Sequence, residues 1–162
     1  MECSKIICFH NPDEENGYLS NWYLSEFQIA DVTFSSMEQY IMYEKACLFN
    51  DYKIATAILS TDNVAEIKKL GRKVSNYCDT IWNGVRQIVV YNGLLAKFSQ
   101  SPDLKRKLLN TDDSLLAECA VKDTIWGIGI SMKDDSRYDI TKWKGQNLLG
   151  FALMEVRKVL EI

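Results

Sequence analysis

The stretch that most constrains this chain is Phe34 to Phe49, FSSMEQYIMYEKACLF. Wound into a helix, Glu38, Ile41, Met42, Lys45 and Phe49 point roughly the same way. Tyr40, Tyr43, Ala46, Cys47 and Leu48 cover most of the remaining surface, so the helix is apolar nearly all round. A helix of that kind is buried at the centre of a domain. Yet the face that should be the most apolar carries a carboxylate and an ammonium two turns apart. A charge on a buried helix has to be paired, neutralised or put to use, because desolvating it alone costs several kcal/mol or more. The residues alone leave two readings of Glu38 and Lys45 open. One is a buried ion pair with outside partners, or a lysine whose stem reaches out to water. The other is a reactive site: a carboxylate whose pKa is raised by an apolar cleft, acting as general acid or base, and a lysine near neutrality that can form an imine with a sugar aldehyde.

The elements around this helix follow from local signals. Ser35 or Ser36 can cap it, with Glu38 three residues beyond Ser35 as in a capping box. Upstream, residues 4–9 (SKIICF) form a short strand, a loop punctuated by Asn, Asp, Gly and Pro follows, and EFQIADVTFSS alternates as a hairpin turning at Ala30-Asp31. Downstream, residues 51–60 form a short helix. Thr61, Asp62 or Asn63 caps the next, which Gly71 stops. Asp79 or Thr80 opens the longest helix, to about Ser99, on a stripe of Trp82, Val85, Val89, Leu95 and Phe98. Ser101-Pro102 opens a helix over 102–109. The last helix, about Asn147 to Glu161, carries Leu148, Phe151, Leu153, Met154 and Val156. The expected fold is mainly α, multi-helical, with a small N-terminal β-hairpin or sheet. No repeat, low-complexity tract or linker interrupts the chain, so residues 1–162 read as a single domain.

Composition removes several function classes. A formal charge of −3 and a pI near 5.2 argue against a general binder of nucleic acid or anionic membrane. No apolar run approaches the roughly 18–20 residues of a membrane helix, and the N-terminus lacks a signal-peptide pattern, so the expected location is cytoplasmic. The five cysteines (Cys3, Cys8, Cys47, Cys78, Cys119) are scattered without CxxC spacing, and His10 is the only histidine. Neither a disulfide frame, a zinc site nor a triad on His10 is supported, and no metal or cofactor is expected. Each cysteine is expected to be a small buried apolar residue.

Chemistry concentrates in residues 111–147, which have little helical period and are too long for a mere connector. Asp123 stands three residues before Trp126, followed by Gly127, Ile128 and Gly129. An indole beside a carboxylate can stack a planar ligand while the acid bonds to its ring nitrogens or ribose; equally, Trp126 can be a core residue with Asp123 capping a turn. Gly145-Gln146-Asn147 leading into a helix has the pattern of an anion seat with free backbone N–H groups, or of an ordinary N-cap by Asn147. Arg72, just past a helix stop, can reach a phosphate or simply be exposed. Glu38 and Asp123 together would supply the two acids that glycosidic cleavage through an oxocarbenium-like state needs.

Seven blocks in order, GYLSNW, FSSMEQYIMYEKA, LGRKVS, KFSQ, LL-T, AVKDTIWGIG and KGQNLLGFALMEVR, resemble the YbiA-like family, also called the NADAR domain. The resemblance runs from about Ile7 to Arg157. It implies a compact, mostly helical domain with N-glycosidase activity. One branch of the family hydrolyses phosphoribosylamino-pyrimidine intermediates of riboflavin biosynthesis, and another removes ADP-ribose from guanine bases. Both break a bond between a sugar anomeric carbon and an exocyclic amine. Carried over by position, the resemblance implies catalytic roles for Glu38, Asp123 and Lys45. It implies substrate binding by Asn21, Arg72, Trp126, Gly127, Asn147 and Gly150. One position departs: Ile128 stands where some relatives have an acid, which weakens any mechanism needing a carboxylate there and points to a different branch. The implied substrates are 5-amino-6-(5-phosphoribosylamino)uracil and its diaminopyrimidinone precursor. ADP-ribosyl-guanine hydrolysis is the alternative enzyme reading, and a non-catalytic ADP-ribose or nucleotide-binding module a further one. The expected partner is thus a small phosphorylated ribosylamine or ADP-ribosyl substrate, with no membrane and no stable nucleic-acid partner beyond a modified guanine.

Overall fold

The computed structural model describes residues 5–162 and is mainly α. In chain order its elements are β1 (Ile6–Phe9), β2 (Leu24–Ile29), β3 (Val32–Ser36), α1 (Met37–Leu48), α2 (Tyr52–Leu59), α3 (Val64–Gly71), α4 (Asp79–Gln100), α5 (Pro102–Leu109), β4 (Leu115–Glu118) and α6 (Leu148–Leu160). The chain divides into two compact units, Leu24–Gln100 and Met1–Tyr23 with Ser101–Ile162.

The Leu24–Gln100 unit is built on the hairpin and α1. β2 and β3 pair antiparallel through a two-residue turn in which Ala30 and Asp31 both take positive φ, 50° and 65°, as a twist-matched hairpin turn requires. The rings of Phe27, Phe34, Tyr40 and Tyr43 meet at tilted or edge angles with centroids 5.2 to 5.9 Å apart, pinning the hairpin to α1. Helix α1 starts at Ser36, whose Oγ accepts the Gln39 N–H at 3.1 Å. Gln39 Oε1 reaches back to accept the Ser35 N–H at 2.7 Å. The cap is therefore closed by Gln39 and not by Glu38, one residue later than the sequence pattern suggested. The Gln39 amide also donates to the carbonyls of Ile58 and Thr61, tying α1 to the end of α2. Asp51 and Asn63 cap α2 and α3.

Two glycines let helices close on α1. A Cβ at Gly71 would collide with Met42, and one at Gly93 with the Tyr40 ring. The burial of α1 is uneven: Met37 to Ile41 are buried all round, whereas Leu48 is exposed. In α4 the buried stripe is Trp82, Val90, Gly93, Leu94, Lys97 and Phe98. Val85, Val89 and Leu95, expected in that stripe, are only half-buried.

In the other unit β1 and β4 pair in parallel, from Ile6 opposite Leu115 to Phe9 opposite Glu118. Strand β4 lies inside the stretch expected to be irregular. Helix α6 packs on β4, and Cys8, Ala117, Cys119, Ile128 and Ile130 form a core flanked by Ile6, Met132 and Trp143. Ser101 caps α5, with Pro102 in its first turn, as the sequence requires. In α6, Leu149, Leu153 and Val156 are buried while Phe151 faces out, contrary to its expected place in the apolar stripe. Cys8 and Cys119 are buried, but Cys47 and Cys78 are only half-buried; Cys3 and Ser4 lie outside the described residues. Among the described residues, no helix is long and apolar enough to cross a membrane.

Candidate active site

The Leu24–Gln100 unit gathers Glu38, Lys45 and Arg72. Glu38 sits in the first turn of α1, 8% exposed, where the partial positive charge of the helix end favours a carboxylate. Lys45 lies half-buried in the last turn. Its Nζ donates to the Gly71 carbonyl at 2.8 Å and stands 4.5 Å from the centre of the Tyr77 ring, which packs edge-on to Phe49. That carbonyl reaches Lys45 only because Gly71 lets α3 close on Met42. Among the described residues, no carboxylate oxygen comes within 4.0 Å of the Lys45 nitrogen, so Glu38 and Lys45 are not a closed ion pair. Burial holds Lys45 below its ordinary value; the charges of Asp79 and then Glu38 pull it back up, and Arg72 pushes it down. Arg72 is exposed just past α3, and among the described residues its guanidinium has no hydrogen bond or ion pair.

The second group lies on the Met1–Tyr23 and Ser101–Ile162 unit. Asp123 Oδ1 accepts the N–H groups of Ile125 and Trp126 at 3.0 and 2.8 Å, so the carboxylate does cap a turn. Its Oδ2 has no hydrogen-bond partner among the described residues. The carbonyls that follow dock onto the start of α6. Thr124 accepts from Gln146, Ile125 from Leu148, Trp126 from Leu149 and Gly127 from Asn147, at 2.8 to 3.2 Å.

That docking overturns the anion seat read from Gly145-Gln146-Asn147, because its N–H groups are already bonded to the chain's own carbonyls. Nor is Asn147 an ordinary cap. It is fully buried in the left-handed region (φ 55°), and its side chain makes no cap bond to α6. Its Oδ1 accepts the Glu118 N–H at 3.1 Å while Nδ2 donates to the Leu116 carbonyl at 2.8 Å, clamping the end of β4. A Cβ at Gly150 would strike the Leu116 carbonyl and the Asn147 amide. One at Gly127 would crowd the carbonyls of Glu118 and Asp123 at 2.9 and 3.0 Å. These three residues hold the Asp123–Trp126 turn in place. Trp126 itself is half-buried. Asn21 is half-buried too, and its Oδ1 is a buried acceptor with no partner among the described residues. Ile128, where some relatives carry an acid, is fully buried in the core.

Four residues beside these groups escaped the sequence reading. Glu118 ends β4 as a half-buried carboxylate whose backbone bonds to Asn147 and Ile128. The Tyr77 ring lies beside the Lys45 ammonium, and the charge of Asp79 acts on the same lysine. Lys97 is 1% exposed, stands 5.0 Å from the Phe98 ring, and is pushed down to about 7 by burial. The signal for Lys97 was present: it follows Leu94 by three residues on a buried stripe, the same anomaly that marks Lys45. Among the described residues, no group of three or more His, Cys, Asp or Glu side chains is placed to hold a metal ion.

The NADAR domain family model matches residues 8–161. This chain belongs to the NADAR domain family. Among NADAR relatives, an N-glycosidase of Acanthamoeba polyphaga mimivirus is 36% identical over 168 residues, covering 98% of each chain. A riboflavin biosynthesis protein of Vibrio vulnificus is 30% identical over 96% of this chain but only 38% of its own length. The N-glycosidase YbiA of Escherichia coli is 29% identical over 97% of this chain and 89% of its own. The NMR structure of E. coli YbiA superposes with a TM-score of 0.81, at 28% identity, over 99% of this chain and 88% of that one. The mainly α architecture is therefore that of the NADAR fold.

Proposed function

We propose that this NADAR chain is an N-glycosidase, a hydrolase of N-glycosyl bonds whose substrate joins a phosphorylated ribose to an exocyclic amine. The observation that carries the reading is end-to-end similarity to a protein named N-glycosidase, 98% of both chains. Similarity to a riboflavin biosynthesis protein over 96% of this chain favours the phosphoribosylamino-pyrimidine intermediates of that pathway as substrates.

In this reading water replaces the amine at the anomeric carbon, the C–N electron pair leaves on nitrogen, and a proton follows it. Glu38 and Asp123 divide the tasks of donating that proton, activating the water and stabilising the oxocarbenium-like state. The free Oδ2 of Asp123 supports such a role, as does the burial of Glu38. Trp126 stacks the base, and Asn21 offers its free oxygen to an amine of the substrate. The exposed, unpaired guanidinium of Arg72 meets the phosphate. Lys45, whose pKa burial holds below its ordinary value, positions the ribose or captures its ring-opened aldehyde as an imine. Asn147, Gly127 and Gly150 serve the site by fixing the Asp123–Trp126 turn.

The test is a side-by-side hydrolysis assay on 5-amino-6-(5-phosphoribosylamino)uracil and ADP-ribosylated guanosine, reading the released base by mass. Release of the pyrimidine, lost in Glu38→Gln and Asp123→Asn, is expected. Release of guanine alone reassigns the substrate to the ADP-ribosyl branch. Full activity of both variants on either substrate refutes the residue assignment.

A further inference from the structure

The segment that joins α3 to α4 carries Arg72 and is pinned at three points. At its start the Gly71 carbonyl accepts the Lys45 ammonium at 2.8 Å. Toward its end the Tyr77 ring packs edge-on to Phe49, with centroids 5.3 Å apart. Between them Asp51 Oδ2 accepts both the N–H of Ser75, at 2.9 Å, and its hydroxyl, at 2.7 Å. The other oxygen of the same carboxylate accepts the Ile54 N–H at 3.1 Å and so caps α2. Asp51 is itself fixed to α1, its own N–H donating to the Ala46 carbonyl at 2.9 Å. The chain turns sharply on both sides of this contact. Asn50, just before Asp51, and Asn76, just after Ser75, take positive φ of 59° and 57°, which asparagine tolerates better than most residues. Val74, beside Ser75, is buried.

We propose that Asp51 and Ser75 are positioning residues for Arg72, a clamp that fixes the α3–α4 segment so that the guanidinium meets the substrate phosphate from a set place. The inference rests on the reading of Arg72 as the phosphate ligand. An arginine on a loose loop must give up backbone as well as side-chain freedom when it binds an anion, and that loss weakens binding. Here the backbone is ordered beforehand, with Gly71 held on one side of Arg72 and Ser75 on the other. The clamp makes no contact with the Arg72 guanidinium, so it acts on that group only through the chain. It also demands a carboxylate. With Oδ1 committed to Ile54, only a second acceptor oxygen can take the Ser75 N–H, and both donors of Ser75 converge on it. An asparagine at position 51 keeps the cap on α2 with its one oxygen but turns an NH2 group toward the Ser75 N–H, which it cannot accept.

The experiment has one arm without substrate and one with it. Amide hydrogen exchange reads the order of the segment directly. In Asp51→Asn the amides of residues 72–77 are expected to exchange about tenfold faster than in the unaltered chain, while Ser75→Thr, which keeps both donors, retains the slow rates. The second arm compares hydrolysis of 5-amino-6-(5-phosphoribosylamino)uracil with that of its dephosphorylated counterpart. Asp51→Asn is expected to raise KM for the phosphorylated substrate about tenfold with kcat within about twofold, and to leave the dephosphorylated substrate unchanged. Added to Arg72→Ala, it should cost nothing further. A clamp that merely stabilises the fold would harm both substrates alike. Unchanged exchange at residues 72–77 in folded Asp51→Asn, equal losses on both substrates, or losses that add to those of Arg72→Ala overturn the proposal. If the unaltered protein hydrolyses neither substrate, or Arg72→Ala leaves both KM values unchanged, the phosphate role of Arg72 falls and the proposal with it. Faster exchange in Asp51→Asn would then place the failure in that functional reading and not in the clamp.

Discussion

Lys97 offers the sharpest physical test of this fold, because its burial sets both a magnitude and a sign. The side chain is 1% exposed and its pKa sits at about 7, against an ordinary value of 10.5. Between those two pH values the unfolded chain binds a proton that the folded chain releases. Stability must therefore rise with pH across that window. At about 1.4 kcal/mol per tenfold change, the full gap corresponds to about 4–5 kcal/mol, with about 2 kcal/mol recovered between pH 7 and pH 9. The gain is bounded above by Tyr40, which burial and then the charge of Glu44 push up to about 12. Above about pH 10 the unfolded chain loses the phenolic proton that the folded chain keeps, and stability falls again. The assay is urea unfolding of the natural chain and of Lys97→Met at half-unit pH steps. The informative quantity is the difference in slope, because any constant loss from altered packing cancels. Lys97→Met should flatten the rise by about 2 kcal/mol over pH 7–9. Equal slopes would refute the argument, and equal slopes with a large uniform loss would mean that Lys97 keeps its proton in the folded state.

Three other outcomes follow from the site. Gly150→Ala places a methyl against the Leu116 carbonyl and the Asn147 amide; it should cost about 2–3 kcal/mol and lower Tm by about 5–10 °C, measured by thermal melting. Asp123→Asn keeps the oxygen that caps the Ile125–Trp126 turn, so hydrolysis should fall about 100-fold or more with little change in Tm, whereas Asp123→Ala should also lose about 1–2 kcal/mol of stability. Borohydride added to the protein with ribose 5-phosphate should leave a reduced sugar on Lys45, increasingly so as pH rises and the amine loses its proton, and none in Lys45→Arg; mass spectrometry of the tryptic peptide decides it.

Much of the fold was legible because short helices declare their ends. Ser101 and Asn63 each accept a capping hydrogen bond at a position the sequence marks, and the Ala30-Asp31 turn follows from alternation on either side. Strand β4 was not legible, since its partner β1 is parallel and far away along the chain. Parallel strands need no tight turn, so nothing local announces them. The seat at the start of α6 failed for a related reason. Gly145-Gln146-Asn147 does leave N–H groups unused within the helix, but which acceptor fills them is a tertiary question, and the answer is the backbone of residues 124–127.

The charges of α1 look different once their ends of the helix are considered. Glu38 lies in the first turn and Lys45 in the last. The dipole of a helix favours an anion at its start and a cation at its end, so each charge stands where the backbone alone partly offsets its desolvation. The two charges therefore do not need to form a closed ion pair with each other. For Lys45 the partners are a carbonyl, a ring and the charge of Asp79, none of which occupies the amine as a closed ion pair would. Placing both charges on one apolar face is therefore no contradiction of burial. A buried helix can carry an acid and an amine when its own ends, and not their mutual attraction, make the burial tolerable.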